Sequence, residues 1–234
     1  MPDVPFTWLG HGSYRIDSPG GKRIYVDPWL DNPKCPDSEK QPERVDVMLI
    51  THGHGDHVGS AVELGRQHSP TVVAIIELAT WLEAQGVENA SALGMNKGGT
   101  VEVDGTKFHM THALHSSGFV SDGDRITYLG DPAGFVIEFE NGTSVYAAGD
   151  TALFSDMELI GRYLEPDVAI LPIGDHFTMG PRQAAAALEL LGCRRCVPIH
   201  WGTFPLLTGT PDQLREHATG VEIITPEPGE TVTL

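Results

Sequence analysis

The sequence predicts an α/β protein: a four-layer αββα sandwich of two mixed β-sheets packed face to face, with helices outside. Strand-like apolar runs come first as a meander and then alternate with helical spacing, and this order recurs in the second half of the chain. Ligand-type residues also stand directly after the buried runs, at the strand ends where open α/β sheets build their sites. For 234 residues such a fold is expected as a single domain, 1–234.

Residues 6–9, 14–16 and 23–26 read as three short strands, split by Gly10-His11-Gly12 and by the turn Ser18-Pro19-Gly20-Gly21. The stretch 32–43, rich in proline and charge, reads as a loop. Residues 45–50 form a buried strand, 58–68 a helix, 71–75 a strand and 77–85 a helix. A second strand-rich stretch passes through Val101, 108–111, 126–129, 135–139 and 144–148. Alternation then resumes. A strand is expected at 168–171, a helix at 181–191 with proline in its first turn, and a strand at 196–199. A helix at 211–218 and a strand at 221–224 follow.

Apolar residues make up 40% of the chain and charged residues 20%, the balance of an ordinary globular protein. Asp and Glu outnumber Lys and Arg by 32 to 15, a formal net charge of −17. Such a surface repels phosphate backbones and anionic lipid, so neither a nucleic-acid nor a membrane partner is expected. A small-molecule substrate is expected, and an anionic one stays allowed because bound metal ions reverse the local potential. No signal peptide is visible, and no run approaches the ~20 apolar residues that span a bilayer. Three cysteines are too few for a disulfide framework, which points to a reducing cytoplasm. Self-association as a homo-oligomer is allowed.

The strongest chemical signal is His52-Gly53-His54-Gly55-Asp56-His57, directly after the apolar run Val47-Met48-Leu49-Ile50. Residues two apart in an extended chain point the same way, so His52 and His54 can meet one metal ion. Asp56 and His57 stand where the chain turns into a helix and can face a second ion, with the two glycines letting the backbone bend between ligands. Partners stand at other strand ends, Asp150 after Val145-Tyr146-Ala147-Ala148-Gly149 and His200 after Cys196-Val197-Pro198-Ile199. Around residue 112, spacing alone leaves the choice between His112 and His115 open, because a one-residue register change swaps the faces. Cys193-Arg194-Arg195-Cys196 follows a helix end rather than opening a helix, which argues against a redox or zinc pair.

The sequence resembles the metallo-β-lactamase superfamily, whose His-x-His-x-Asp-His signature is matched from His52 to His57. More closely it resembles the metal-dependent hydrolase branch related to ascorbate-6-phosphate lactonase and N-acylphosphatidylethanolamine phospholipase D. The shared pieces are Leu9-Gly10-His11, Val26-Asp27-Pro28, Ala113-Leu114-His115-Ser116-Ser117 and Gly149-Asp150-Thr151, with Phe177-Thr178-Met179-Gly180-Pro181 and Pro198-Ile199-His200-Trp201. The resemblance runs from near residue 4 to near residue 230. It implies the metallo-β-lactamase fold and a binuclear site. His52, His54 and His115 would hold one ion, Asp56, His57 and His200 the other, and Asp150 would bridge them. Zinc is the expected ion, with manganese, iron or nickel allowed.

The implied activity is hydrolysis by a metal-bridging hydroxide of an ester, lactone, amide or phosphodiester bond. Asp56 and Asp150 then serve catalysis as well as binding. His11 and His176, each in a turn after a strand, are candidates to touch substrate or donate a proton. Asp27 is a candidate to orient a ligand imidazole. Two rivals share the fold. A nuclease would need a basic groove, and the 15 basic residues form no cluster beyond Arg194-Arg195. Flavodiiron relatives carry Glu where this chain has His54, which disfavours a diiron oxidoreductase. A non-catalytic metal-binding module ranks last, since no ligand is missing.

Overall fold

The computed structural model describes residues 4–121 and 123–234. The chain opens with β1 (Pro5–Trp8), β2 (Tyr14–Asp17), β3 (Arg23–Val26) and β4 (Val47–Leu49). A 3-10 turn at Asp37–Glu39 interrupts the proline-rich loop. Helices α1 (Gly55–Val58) and α2 (Ala61–His68), strand β5 (Thr71–Val73) and helix α3 (Ile76–Ala84) complete the first half.

The second half holds β6 (Thr100–Val103), β7 (Thr106–His112), β8 (Gly118–Ser121), β9 (Arg125–Tyr128), β10 (Ala133–Glu138) and β11 (Ser144–Ala147). Then come α4 (Met157–Leu164), β12 (Val168–Pro172), α5 (Pro181–Leu191), β13 (Arg195–Ile199) and α6 (Pro211–His217). Strands β14 (Glu222–Ile223) and β15 (Thr231–Thr233) end the series.

Both sheets are mixed, as the repeated order of the sequence predicts. The first runs β15-β1-β2-β3-β4-β5, antiparallel from β15 to β3 and parallel from β3 to β5. The second runs β14-β13-β12-β11-β10-β7-β6, parallel from β14 to β11 and antiparallel beyond. Strands β8 and β9 pair only with each other among the described residues.

Side-chain alternation explains the layers. Phe135, Ile137, Val145, Ala147 and Ile170 enter the core shared with the first sheet. Val136, Tyr146, Ala169 and Leu171, one residue out of phase on the same strands, pack with α4, α5 and α6. Four alanines in α5, at 184–187, keep that helix slim where it crosses α4 and α6.

The single helix expected at 58–68 is broken at Gly59 and Ser60. Ser60 donates its N–H to Pro28 O and its Oγ accepts from Leu30 N at 2.9 Å, so this turn is fastened to the loop after β3. Helix α4 and strands β8 and β15 were not anticipated. Among the described residues, no helix is long and apolar enough to cross a membrane.

Candidate metal centre

The loops after β4, β7, β11 and β13 converge. His52, His54 and His115 each offer a nitrogen, all within 4.8 Å of one another, and His11, Asp56, His57 and His200 form a second such group. Asp150 stands between the groups. Its Oδ2 lies 3.3 Å from His57 Nε2, 3.1 Å from His200 Nε2 and 3.7 Å from His115 Nε2. All seven ligand-type residues singled out in the sequence therefore meet in one place.

The choice between His112 and His115 falls to His115. Strand β7 ends at His112, so face alternation stops there, and the chain reaches the cluster through a loop. The His112 ring is exposed and lies 3.3 Å from Lys97 Nζ. His109 sits against Thr100 Oγ1 at 2.8 Å, away from the cluster.

Asp27 is the hub behind the ligands. Its Oδ1 accepts from Thr51 N at 2.8 Å and its Oδ2 from Thr51 Oγ1 at 2.6 Å. The same Oδ2 lies 2.9 Å from His57 Nδ1. A carboxylate only accepts, so His57 Nδ1 carries a proton and Nε2 is the nitrogen left to face Asp150. The Thr51 hydroxyl donates to Asp27, so Thr51 Oγ1 accepts from His52 Nδ1 at 3.0 Å, which leaves His52 Nε2 without a proton. One buried carboxylate thus fixes the tautomers of two ligands on opposite sides of the cluster.

The roles of the two glycines differ from the expectation. Neither has a positive φ. A Cβ on Gly53 would stand 2.7 Å from Leu129 Cβ, so close packing, not a bend, requires glycine there. Gly55 opens α1 with nothing within 4 Å of the same position.

His11 joins the cluster from behind and does not line the cavity. It is fully buried, its Nε2 lies 2.9 Å from Asp56 Oδ2 and its Nδ1 3.0 Å from Thr203 Oγ1. Its ring packs 3.9 Å from that of His200. Its carbonyl accepts from His200 N at 2.9 Å, tying the two sheets together at the site. His176 stands apart from the cluster. The ring is exposed and packs on Phe177, outside both ligand groups and outside the cavity lining. The turn at Asp175 and His176, both with positive φ, turns Phe177 rather than His176 to the site.

Charge is distributed unevenly through the cluster. Burial drives His11 down to about 4 and holds His52 well below the ordinary imidazole value. Burial opposes charge on His200 as well, but Asp150 and Asp56 outweigh it and lift this group to about 9. Asp150 and Asp27 likewise lift His57. Burial disfavours charge on Asp150, yet His200 and His57 hold it well below the carboxylate range.

The residues present fit divalent cations. His57 Nε2, His200 Nε2 and Asp150 Oδ1 are buried without a hydrogen-bond partner among the described residues. Such atoms cost roughly 1–3 kcal/mol each when nothing satisfies them. Imidazoles, which give up a proton on binding, and ionised carboxylates are the donors that zinc, manganese and iron take.

A cavity of about 570 Å³ opens onto the cluster, bounded by His54, Asp56, His115, Ser116, Asp150 and His200. Its far wall is Phe177, Phe204, Pro205 and Leu206. Sequence reading passed over this wall, although Phe204-Pro205-Leu206-Leu207, an apolar run four residues after His200, was a usable signal. The cysteine pair is inert, as anticipated. Burial pushes the Cys193 thiol up to about 12 and raises that of Cys196 further, and Cys193 Sγ donates to Pro166 O at 3.1 Å.

Fold and site together define a metallo-β-lactamase-type hydrolase. The profile of the Beta-lactamase superfamily domain matches residues 22–201, and the chain belongs to that family. In sequence it is 50% identical over 232 residues to the UPF0173 metal-dependent hydrolase of Koribacter versatilis, covering 99% of this chain and 98% of that one. Like such relatives, it is a metal-dependent hydrolase. In structure it matches a metallo hydrolase of the archaeon Ignicoccus hospitalis with a TM-score of 0.87 at 34% identity, over 99% and 98% of the two chains. A diiron β-hydroxylase of Streptomyces venezuelae shares the fold at 16% identity and a TM-score of 0.70, over 99% of this chain and 54% of that one.

Proposed function

We propose that this hydrolase is binuclear, with His52, His54 and His115 holding one divalent ion, Asp56, His57 and His200 the second, and Asp150 shared. The observation that carries the reading is the position of Asp150 Oδ2, within 3.7 Å of nitrogens from both groups. Zinc is the ion proposed, and an ester, lactone, amide or phosphodiester of a small molecule the substrate. When bound, such ions lower the pKa of water toward neutrality and polarise a substrate oxygen.

The chain's own groups prepare the site for that chemistry. Asp27 and Thr51 hold the Nδ1 atoms of His57 and His52, so that Nε2 of each faces the cluster. His11 holds Asp56 by Oδ2, and Asp56 lines the cavity, where its carboxylate is placed to take a proton from the attacking water. Ser116, whose Oγ lies 3.2 Å from His54 Nε2, offers a hydroxyl at the mouth. The three cysteines are buried and free, which supports a reducing cytoplasm.

Elemental analysis of protein purified without chelator tests the proposal, repeated on Asp150→Ala and His115→Ala. About two ions per wild-type chain, as binuclear sites hold, are expected, with loss in both variants along with turnover of ester, lactone, amide and phosphodiester substrates. One ion per wild-type chain would overturn it. Redox-active iron would transfer the site to oxidoreductase chemistry.

A further inference from the structure

The cavity against Phe177 and Leu206 is one half of a longer groove. A second cavity, of about 520 Å³, shares His54, His115 and Ser116 with it and runs the other way, under the β8–β9 hairpin. Its apolar wall is Val120, Ile126, Tyr128 and Pro132. His54 and His115 therefore stand where the two cavities meet, with apolar residues in the lining of each.

The lining also lacks positive charge. No lysine or arginine lines either cavity among the described residues, whereas Asp56, Asp131 and Asp150 do. Lys97, beside the second cavity, is held 3.5 Å from Asp131 and 3.3 Å from His112. Phosphate and carboxylate recognition ordinarily uses arginine forks or lysines, and the chain's net charge of −17 repels anions at a distance. Among the described residues, five of the nine exposed large apolar side chains, Val120, Ile126, Tyr128, Phe177 and Leu206, line this groove, and such patches mark binding surfaces.

We infer that the groove takes an uncharged ester or amide with an apolar limb on each side of the scissile bond, one limb against Phe177 and Leu206, the other against Ile126 and Tyr128. This deepens the hydrolase reading and rests on it. The bond breaks between the acyl carbon and its oxygen or nitrogen, water supplies the hydroxyl to the acid, and its proton leaves with the alcohol or amine. A phosphorylated substrate would find no lysine or arginine in either lining among the described residues.

The test uses metal-loaded full-length protein and two variants, Leu206→Lys and Ile126→Lys. Leu206 is 52% exposed and Ile126 72%, so a lysine at either position leaves the core untouched, which a thermal melt verifies. Binding is measured first, with straight-chain hydroxamates from acetohydroxamate to decanohydroxamate. Affinity is expected to tighten about fourfold per methylene over the first few, as for a methylene leaving water. Turnover is then compared across esters varied in the acyl chain and, separately, in the alcohol. One variant is expected to flatten the acyl series and the other the alcohol series.

Hydroxamate affinity independent of chain length, or faster turnover of phosphodiesters than of neutral esters, overturns the inference and leaves the hydrolase reading standing. Chain-dependent binding without turnover of any substrate keeps the recognition and defeats the hydrolase reading instead. Sedimentation covers the remaining occupant. If both variants convert a dimer to a monomer while both chain-length series persist, the apolar walls belong to a second copy and the inference falls.

Discussion

Asp27 shows how much of a metal site lies behind its ligands. It touches no cavity, yet it receives Thr51 by both N–H and hydroxyl and holds His57 Nδ1. Removing it in Asp27→Ala leaves two imidazoles free to take the wrong tautomer. Metal affinity is expected to fall by about 10–100-fold, the usual cost of losing such a partner, in a competition titration against a chromophoric chelator. An unchanged affinity would show that ligand geometry is set elsewhere. Residue identity was readable where chemistry is local, as in the six positions from His52 to His57. It was not readable for Thr203, which supports His11 from 192 residues away, because nothing near Thr203 marks it as a partner of an N-terminal turn. The exposure of His176 was not readable either, because a histidine after a strand looks the same in sequence whether its turn faces the site or solvent.

At the scale of elements, the junction from β4 into α1 is where packing and ligand placement meet. A methyl group at Gly53 collides with Leu129, whereas one at Gly55 meets nothing. Gly53→Ala is expected to lower stability by about 1–3 kcal/mol, the cost of overpacking, while Gly55→Ala stays within about 0.5 kcal/mol of wild type. Urea midpoints at constant slope measure both. Equal losses would refute the packing account. Elements with strong periodicity were legible, and 181–191 was placed to the residue because proline opens it and Gly192 closes it. Helix α4 was not, since it buries only Met157 and Ile160 while Leu159 and Tyr163 face solvent, which blurs the helical stripe. Strands β8 and β15 are three or four residues long and partly exposed, too short for alternation to register.

Over the whole molecule, the two sheets contribute ligands to one seam, so cations bound there fasten one half to the other. His52, His54, Asp56 and His57 come from the first sheet, while His115, Asp150 and His200 come from the second. A chelator that strips the ions is therefore expected to lower the melting temperature, and readdition to restore it. At an ion concentration 100 times Kd the difference is about 2.7 kcal/mol per site. Calorimetry with and without chelator reads it directly, and superimposable melts would show that the halves do not depend on the seam. The sandwich itself was legible because its order of strands and helices repeats. The groove was not, because its two walls come from segments separated along the chain and meet only after folding.

The outer edge of β1 is covered by β15, and Thr7 meets Thr231 across 224 residues of chain. During synthesis on the ribosome, β1 can pair with β2 almost at once, but its other edge stays bare until Thr231 in β15, 224 residues after Thr7, has emerged. A nascent molecule thus carries an unpaired strand edge, a template for joining a neighbouring polypeptide, for most of its time in translation. Folding of the first sheet waits for β15. Crowded polysomes and stalled ribosomes are where this protein is expected to depend most on chaperones.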